Sequence, residues 1–134
     1  MIVLSNSVAQ TLAPGQSATF DTIVFHTGNA ECFRQNSGAV RLRCKNSIYE
    51  IHCGANIGAT AEGAAQIAVS FDGSPLLETT MISQTAAAGD LNNVNRETAV
   101  NTCCCAGGAI TLVNTGTTDV NLGANPLLYI RRVA

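Results

Sequence analysis

The sequence predicts an all-β domain, a sandwich or barrel of short strands. Three observations point there. Alternating apolar and polar runs recur, as in Ala39–Cys44, where Val40, Leu42 and Cys44 fall on one face. Turn signals punctuate these runs at Pro14–Gly15, Asp72–Gly73, Gly107–Gly108 and Asn114–Thr115–Gly116. No stretch holds the i, i+3, i+4, i+7 apolar spacing over the roughly eleven positions that an amphipathic helix needs.

Taken in order, the first run is Ala18–Phe25, β-branched and aromatic, entered from the turn at Pro14–Gly15. Ala39–Cys44 and Ile48–Cys53 follow, and the second places Tyr49, Ile51 and Cys53 together with His52 on the opposite face. Ala59 to Ile67 is Ala-rich and interrupted by Gly63, which reads as a loop feeding a strand. Gln66–Phe71 then runs into Asp72–Gly73, the signature of a tight type I′ hairpin, with Leu76 to Met81 as the expected return strand. A polar segment, Ala86 to Asn95, separates it from a strand over Glu97 to Cys105. Ala109–Val113, a short strand at Val120 and Leu122, and Leu127 to Val133 close the chain. Roughly eight to ten short strands at such spacing are the mark of a sandwich or barrel.

A length of 134 residues suits one domain, and no linker or charge run divides it. With 12% charged residues and a net charge of -2, the chain has no basic footprint for nucleic acid or an anionic membrane. No apolar run approaches the roughly 18 residues of a membrane span. Met1–Asn6 has no positive n-region and too short an apolar stretch for a secretory signal, so none is expected. A surface this poor in charge must be largely Thr, Asn, Ser, Gly and Ala, which suits an assembled structural protein better than a free cytosolic enzyme.

Gly38–Ala39–Val40–Arg41–Leu42 followed by Ile48–Tyr49–Glu50–Ile51 resembles the core of TNF-like and complement globular-head domains. Ala68 to Leu76 is similar to the central hairpin of bacterial members, such as the C-terminal domains of collagen-like spore-surface glycoproteins and short phage structural proteins. Ile110–Gly116 and Leu128–Val133 are similar to the segments that end those domains. The likeness runs from residue 18 to 133. It implies a single TNF-like ten-stranded jelly-roll sandwich, all-β and homotrimeric about a threefold axis. It also implies that the strand holding Ile48–Cys53 neighbours the one ending near Cys105, and that the strand ending at Cys44 neighbours the one starting near Ala109. Six cysteines, three of them consecutive, depart from the pattern.

On this reading residues 13–134 form the roll, and residues 1–12 are an N-terminal attachment or edge segment whose Ile2, Val3 and Leu4 would meet another surface or complete the sheet. Cys44, Cys53, Cys103, Cys104 and Cys105 are a candidate disulfide or thiol cluster. They are read as buried reduced thiols, as holding at least one disulfide, or as metal ligands, the last disfavoured because no Cys-x-x-Cys knuckle is present. Glu50, His52, Arg131 and Arg132 are trimer-interface candidates, with an arginine either charging an edge strand or reaching across to Glu50 or Asp119. No nucleophile elbow, P-loop, dinucleotide fingerprint or His-Glu-x-x-His occurs, so no catalytic residue, metal or cofactor is expected.

The expected function is that of a non-enzymatic structural protein displayed on a particle. A phage virion component fits best, as a capsid decoration or a head or tail appendage whose partner is a capsid or other particle surface protein. The alternatives are a spore-surface protein, which would often carry the Gly-x-y repeats that are missing here, and a carbohydrate- or receptor-binding module. The last would display aromatic platforms, yet the chain has only 2 Tyr, 4 Phe and no Trp.

Overall fold

Alternation along the chain becomes two antiparallel sheets packed face to face. The computed structural model describes residues 1–27, 33–36 (backbone only for 34–36), 38–102 and 108–134. Among these residues the strands are β1 (Ile2–Ser5), β2 (Gln10–Leu12), β3 (Thr22–His26), β4 (Phe33–Asn36), β5 (Ala39–Leu42), β6 (Ile48–Ala59), β7 (Gly63–Phe71), β8 (Ser74–Pro75), β9 (Met81–Thr85), β10 (Asn92–Asn101), β11 (Gly108–Asn114), β12 (Val120–Leu122) and β13 (Leu127–Arg132). Three of them, β2, β8 and β12, are only two or three residues long.

One sheet runs β2–β12–β6–β13–β1–β3 with β10 also on β6, and the other runs β4–β5–β11–β7–β8 with β9 also on β7. Strand β6 is the spine of the first. Its residues 48–57 pair with β10, while β13 and β12 share its other edge. Strand β5 pairs with β11, the second neighbour relation that the resemblance implied. Inward residues of the two sheets meet in one core that includes Tyr49, Ile51, Ile57, Leu128 and Ile130 from one side and Val40, Leu42, Ile67, Val69, Ile110 and Leu112 from the other. Removing this apolar surface from water is the main force holding the sheets together.

The Asp72–Gly73 hairpin forms as read. Both residues have positive φ, 52° and 87°, and Phe71 pairs with Ser74 across the turn. The return strand is different from expectation. It stops at Pro75, a 3-10 turn covers Leu77–Thr79, and β9 then rejoins β7 at the Ile67–Met81 pair. The cause is Thr79, whose buried hydroxyl accepts the Val69 N–H at 2.9 Å and donates to the Leu76 carbonyl at 2.6 Å, taking over ladder positions that a strand would have used.

Two further boundaries move. Strand β10 begins at Asn92, inside the segment read as a polar spacer, because its pairing with β6 needs no apolar residues on the outward side. The run read as Ala18–Phe25 is a crossing segment followed by a strand. Ser17 bridges Val113 of the second sheet, and Thr22 already pairs with Ser5 of the first. Asn6 stitches the crossing down by donating to the Thr19 carbonyl at 2.8 Å.

The division at residue 12 is not a structural boundary. Strand β1 lies between β13 and β3, hydrogen-bonded on both edges, and Ile2 and Leu4 are fully buried in the core. Alternation explains it: a short apolar strand with both neighbours present buries every second side chain inside its own subunit. Ile2 and Leu4 are therefore core residues and not free attachment residues. Val3 alone of the three points outward.

Candidate functional site: the outer face of the seven-stranded sheet

The face of the first sheet that turns away from the core carries the charged groups singled out in the sequence. Registry puts one row of side chains straight across it. Phe25 pairs with Val3, Val3 with Tyr129, Tyr129 with His52, and His52 with Glu97. Glu50 stands two residues before His52 on β6, so period-two alternation brings it to the same face. Arg131 is its partner on β13.

These side chains form a connected cluster. His52 Nε2 lies 2.9 Å from Glu50 Oε1, and His52 Nδ1 lies 3.0 Å from Glu97 Oε2. Arg131 Nη2 donates to the other Glu50 oxygen. The Tyr129 ring stands edge-on to the imidazole, with centroids 5.1 Å apart and planes at 88°. The Arg131 guanidinium, and after it His52, hold the Glu50 carboxyl below the ordinary carboxylate range, and the same bond to Glu50 raises Arg131. Shallow grooves flank the imidazole. One, of about 540 Å³, is lined by residues that include His52, Gly54, Asn95, Glu97 and Leu127, and the other, of about 390 Å³, by Glu50, His52, Leu127, Tyr129 and Arg131.

Apolar side chains surround the cluster. Phe25, Leu127, Ile48 and Val133 are exposed at 49%, 42%, 40% and 48%. Ile48 and Val133 are joined by a backbone hydrogen bond of 2.8 Å from the Val133 N–H to the Ile48 carbonyl. Isolated exposed apolar residues are ordinary, but several on one sheet face are a contact surface in search of cover.

Of the sequence candidates, Glu50, His52 and Arg131 come together and Arg132 does not. Arg131 pairs with Glu50 of its own chain. Arg132 alternates to the other side at the end of β13, where its Nε donates to Ser47 Oγ at 3.0 Å. Asp119 is on the far end of the fold from β13, just before β12, and forms none of these contacts. Glu97 and Tyr129 complete the cluster although the sequence did not single them out. Only the registry of β10 and β13 on β6 could have found them.

Cys53 points into the core as a free thiol, and burial pushes it up to about 12. Such a thiol is inert at neutral pH. Cys44 is disulfide-bonded. Cys103, Cys104 and Cys105 lie outside the described residues.

No family model and no curated protein matches the sequence. The fold does have relatives among solved structures. The globular domain of zebrafish complement 1qA protein is similar with a TM-score of 0.68 at 8% identity, over 99% of this chain and 96% of that one. Murine APRIL at pH 5.0 gives 0.68 at 14% identity, over 97% of this chain and 98% of that one. The PRD1 vertex protein gives 0.51 at 13% identity, over 99% of this chain and 71% of that one. In fold, the chain is a jelly roll of the kind shared by complement globular heads and TNF-like domains.

Proposed function

We propose that this protein is a non-enzymatic structural component that assembles as a homotrimer of jelly rolls and is displayed on a particle surface. The particle is a phage virion, where the roll acts as a capsid decoration or a head or tail appendage. The observation that carries the reading is the outer face of the seven-stranded sheet. Phe25, Ile48, Leu127 and Val133 leave it too apolar to face water as the working surface of a lone subunit, and Arg131 and Glu50 at its centre are already paired with each other.

A threefold arrangement is what the likeness to complement globular heads and TNF-like domains implies, and in it this face is the one the neighbouring subunits cover. Burying it in a self-assembly is favourable because obligate interfaces are large and apolar. The Arg131–Glu50 ion pair is made within one chain, so it can enter such a contact already neutralised. The likeness in fold to a vertex protein supports display on a particle.

Sedimentation of the chain at micromolar concentration tests the assembly. A trimer is expected, and Leu127→Glu should shift it towards monomer. A stable monomer for the unmodified chain rejects the assembly. The virion assignment is tested separately by the neighbouring genes: a capsid or portal gene alongside supports it, and a neighbourhood of spore-coat genes rejects it.

A further inference from the structure

We propose that His52, Glu97 and Glu50 form a binding site for one divalent metal ion of the zinc class, taken up on a His52 ring nitrogen and an adjacent carboxylate. One donor atom from each of the three residues lies within 4.8 Å of the other two. They are fixed by the rigid pairing of β6 and β10, where His52 stands directly opposite Glu97.

The imidazole itself asks for a cation. Its two nitrogens each face a carboxylate oxygen, at 2.9 Å and 3.0 Å. A neutral ring carries only one N–H, so one of these contacts sets a nitrogen lone pair against a carboxylate oxygen. Either a second proton or a metal ion resolves it. A metal held tetrahedrally about 2.0–2.2 Å from nitrogen and oxygen ligands spaces those ligands roughly 3.3–3.6 Å apart, so the existing separation needs an opening of about half an ångström to admit one.

The surroundings match what a metal-bound histidine requires. With the ion on Nδ1 and Glu97, Glu50 remains on Nε2 as the carboxylate that orients the ring, and Arg131 holds Glu50 in turn. Tyr129 fixes the plane of the imidazole from the side. In the single chain a groove of about 540 Å³ beside His52 and Glu97 leaves room for water to fill the remaining positions. Imidazole with carboxylate selects zinc, cobalt or nickel over calcium and magnesium, which favour all-oxygen shells. All the residues come from one chain, and the site does not rest on the trimer.

The test is titration of the dialysed full-length chain with Co²⁺ and Zn²⁺, following the visible cobalt bands and calorimetry. Bands of nitrogen and oxygen ligation are expected, without thiolate charge transfer in the near ultraviolet. His52→Ala should abolish binding, Glu50→Gln should weaken it about tenfold or more, and Glu62→Gln, in the turn between β6 and β7, should leave it unchanged. Zn²⁺-dependent shifts of the His52 ring signals in the unmutated chain answer the same question if a variant fails to fold. No uptake at millimolar metal, uptake that survives His52→Ala, a thiolate spectrum, or equal binding of Ca²⁺ would each overturn the proposal.

Discussion

Phe33 of β4 and Tyr49 of β6 meet edge to face between the two sheets, with ring centroids 5.6 Å apart and planes at 81°. Both are buried, Tyr49 completely, so the pair bridges the two layers of the sandwich. The Tyr49 hydroxyl accepts the Cys44 N–H at 3.3 Å, which also ties the end of the segment after β5 to β6. An aromatic pair of this geometry adds to the burial of the rings themselves.

Tyr49→Ala should therefore cost about 3–5 kcal/mol, the range for a large buried aromatic. Tyr49→Phe keeps the ring contact and loses one hydrogen bond, a cost of about 1 kcal/mol. Denaturant unfolding of the two variants checks the ranking. Equal stability for Tyr49→Ala and the unmodified chain would mean that β6 presents its other face to the core.

Much of this fold is legible in the sequence wherever alternation is strong. Tyr49, Ile51 and Cys53 are inward and His52 outward, as their spacing indicates. The positive φ of Asp72 and Gly73 follows from the chemistry of those two residues. Alternation says little where a side chain replaces the backbone as hydrogen-bond partner, which is why Thr79 ends a strand that Leu76 to Met81 would otherwise form. It also says nothing of how β3 sits, where the apolar Ile23, Val24 and Phe25 are exposed at the edge of the sheet. The cluster was half legible. Glu50 and His52 share a face by period two, but Glu97 and Tyr129 join them only through registry between strands far apart in the chain.

Gly58 marks a close approach that a side chain would break. A Cβ there would run into the backbone carbonyl of Asp90, in the loop that leads to β10. Backbone cannot swing aside as a flexible side chain can, so Gly58→Ala forces the loop off β6. The expected cost is about 1–3 kcal/mol, as for other overpacked sites. Gly73→Ala is a useful contrast, because nothing lies near its Cβ and the penalty there comes from its φ of 87°. Thermal melts separate the two, and faster amide exchange across 86–91 should accompany only Gly58→Ala.

Glu50 gives the outer face a defined response to acid. Its folded pKa lies below the ordinary glutamate value, chiefly through the hydrogen bond from Arg131 and then that with His52. The sign follows: the stabilisation is fully present above the unfolded value and is lost as pH falls through the lower folded one. Glu50 is solvent-accessible, so the effect on stability is small and the titration itself is the readout. In Arg131→Gln the Glu50 carboxyl should titrate at higher pH than in the unmodified chain, measured by the carboxyl-carbon shift in NMR. An unmoved titration would show that the ion pair with Arg131 does not form in solution.

The N-terminal strand offers the sharpest test of how the chain is divided. Strand β1 fills the gap between β13 and β3, and the Met1 carbonyl accepts the Thr27 N–H at 2.9 Å, continuing that pairing. Ile2 and Leu4 are wholly buried, and each contributes about 1.5–3 kcal/mol by leaving water. Deleting residues 1–5 removes both and leaves β13 with an unpaired edge beside an open core. Domain stabilities are only about 5–15 kcal/mol in total, so the truncated chain should lose its cooperative unfolding transition. Leu4→Ala alone should cost about 2–5 kcal/mol, whereas Val3→Thr, on the outward face, should leave the fold intact. Calorimetry of the three variants decides the matter. A truncated chain that still melts as sharply as the whole one would show that the first strand is dispensable and free to act elsewhere.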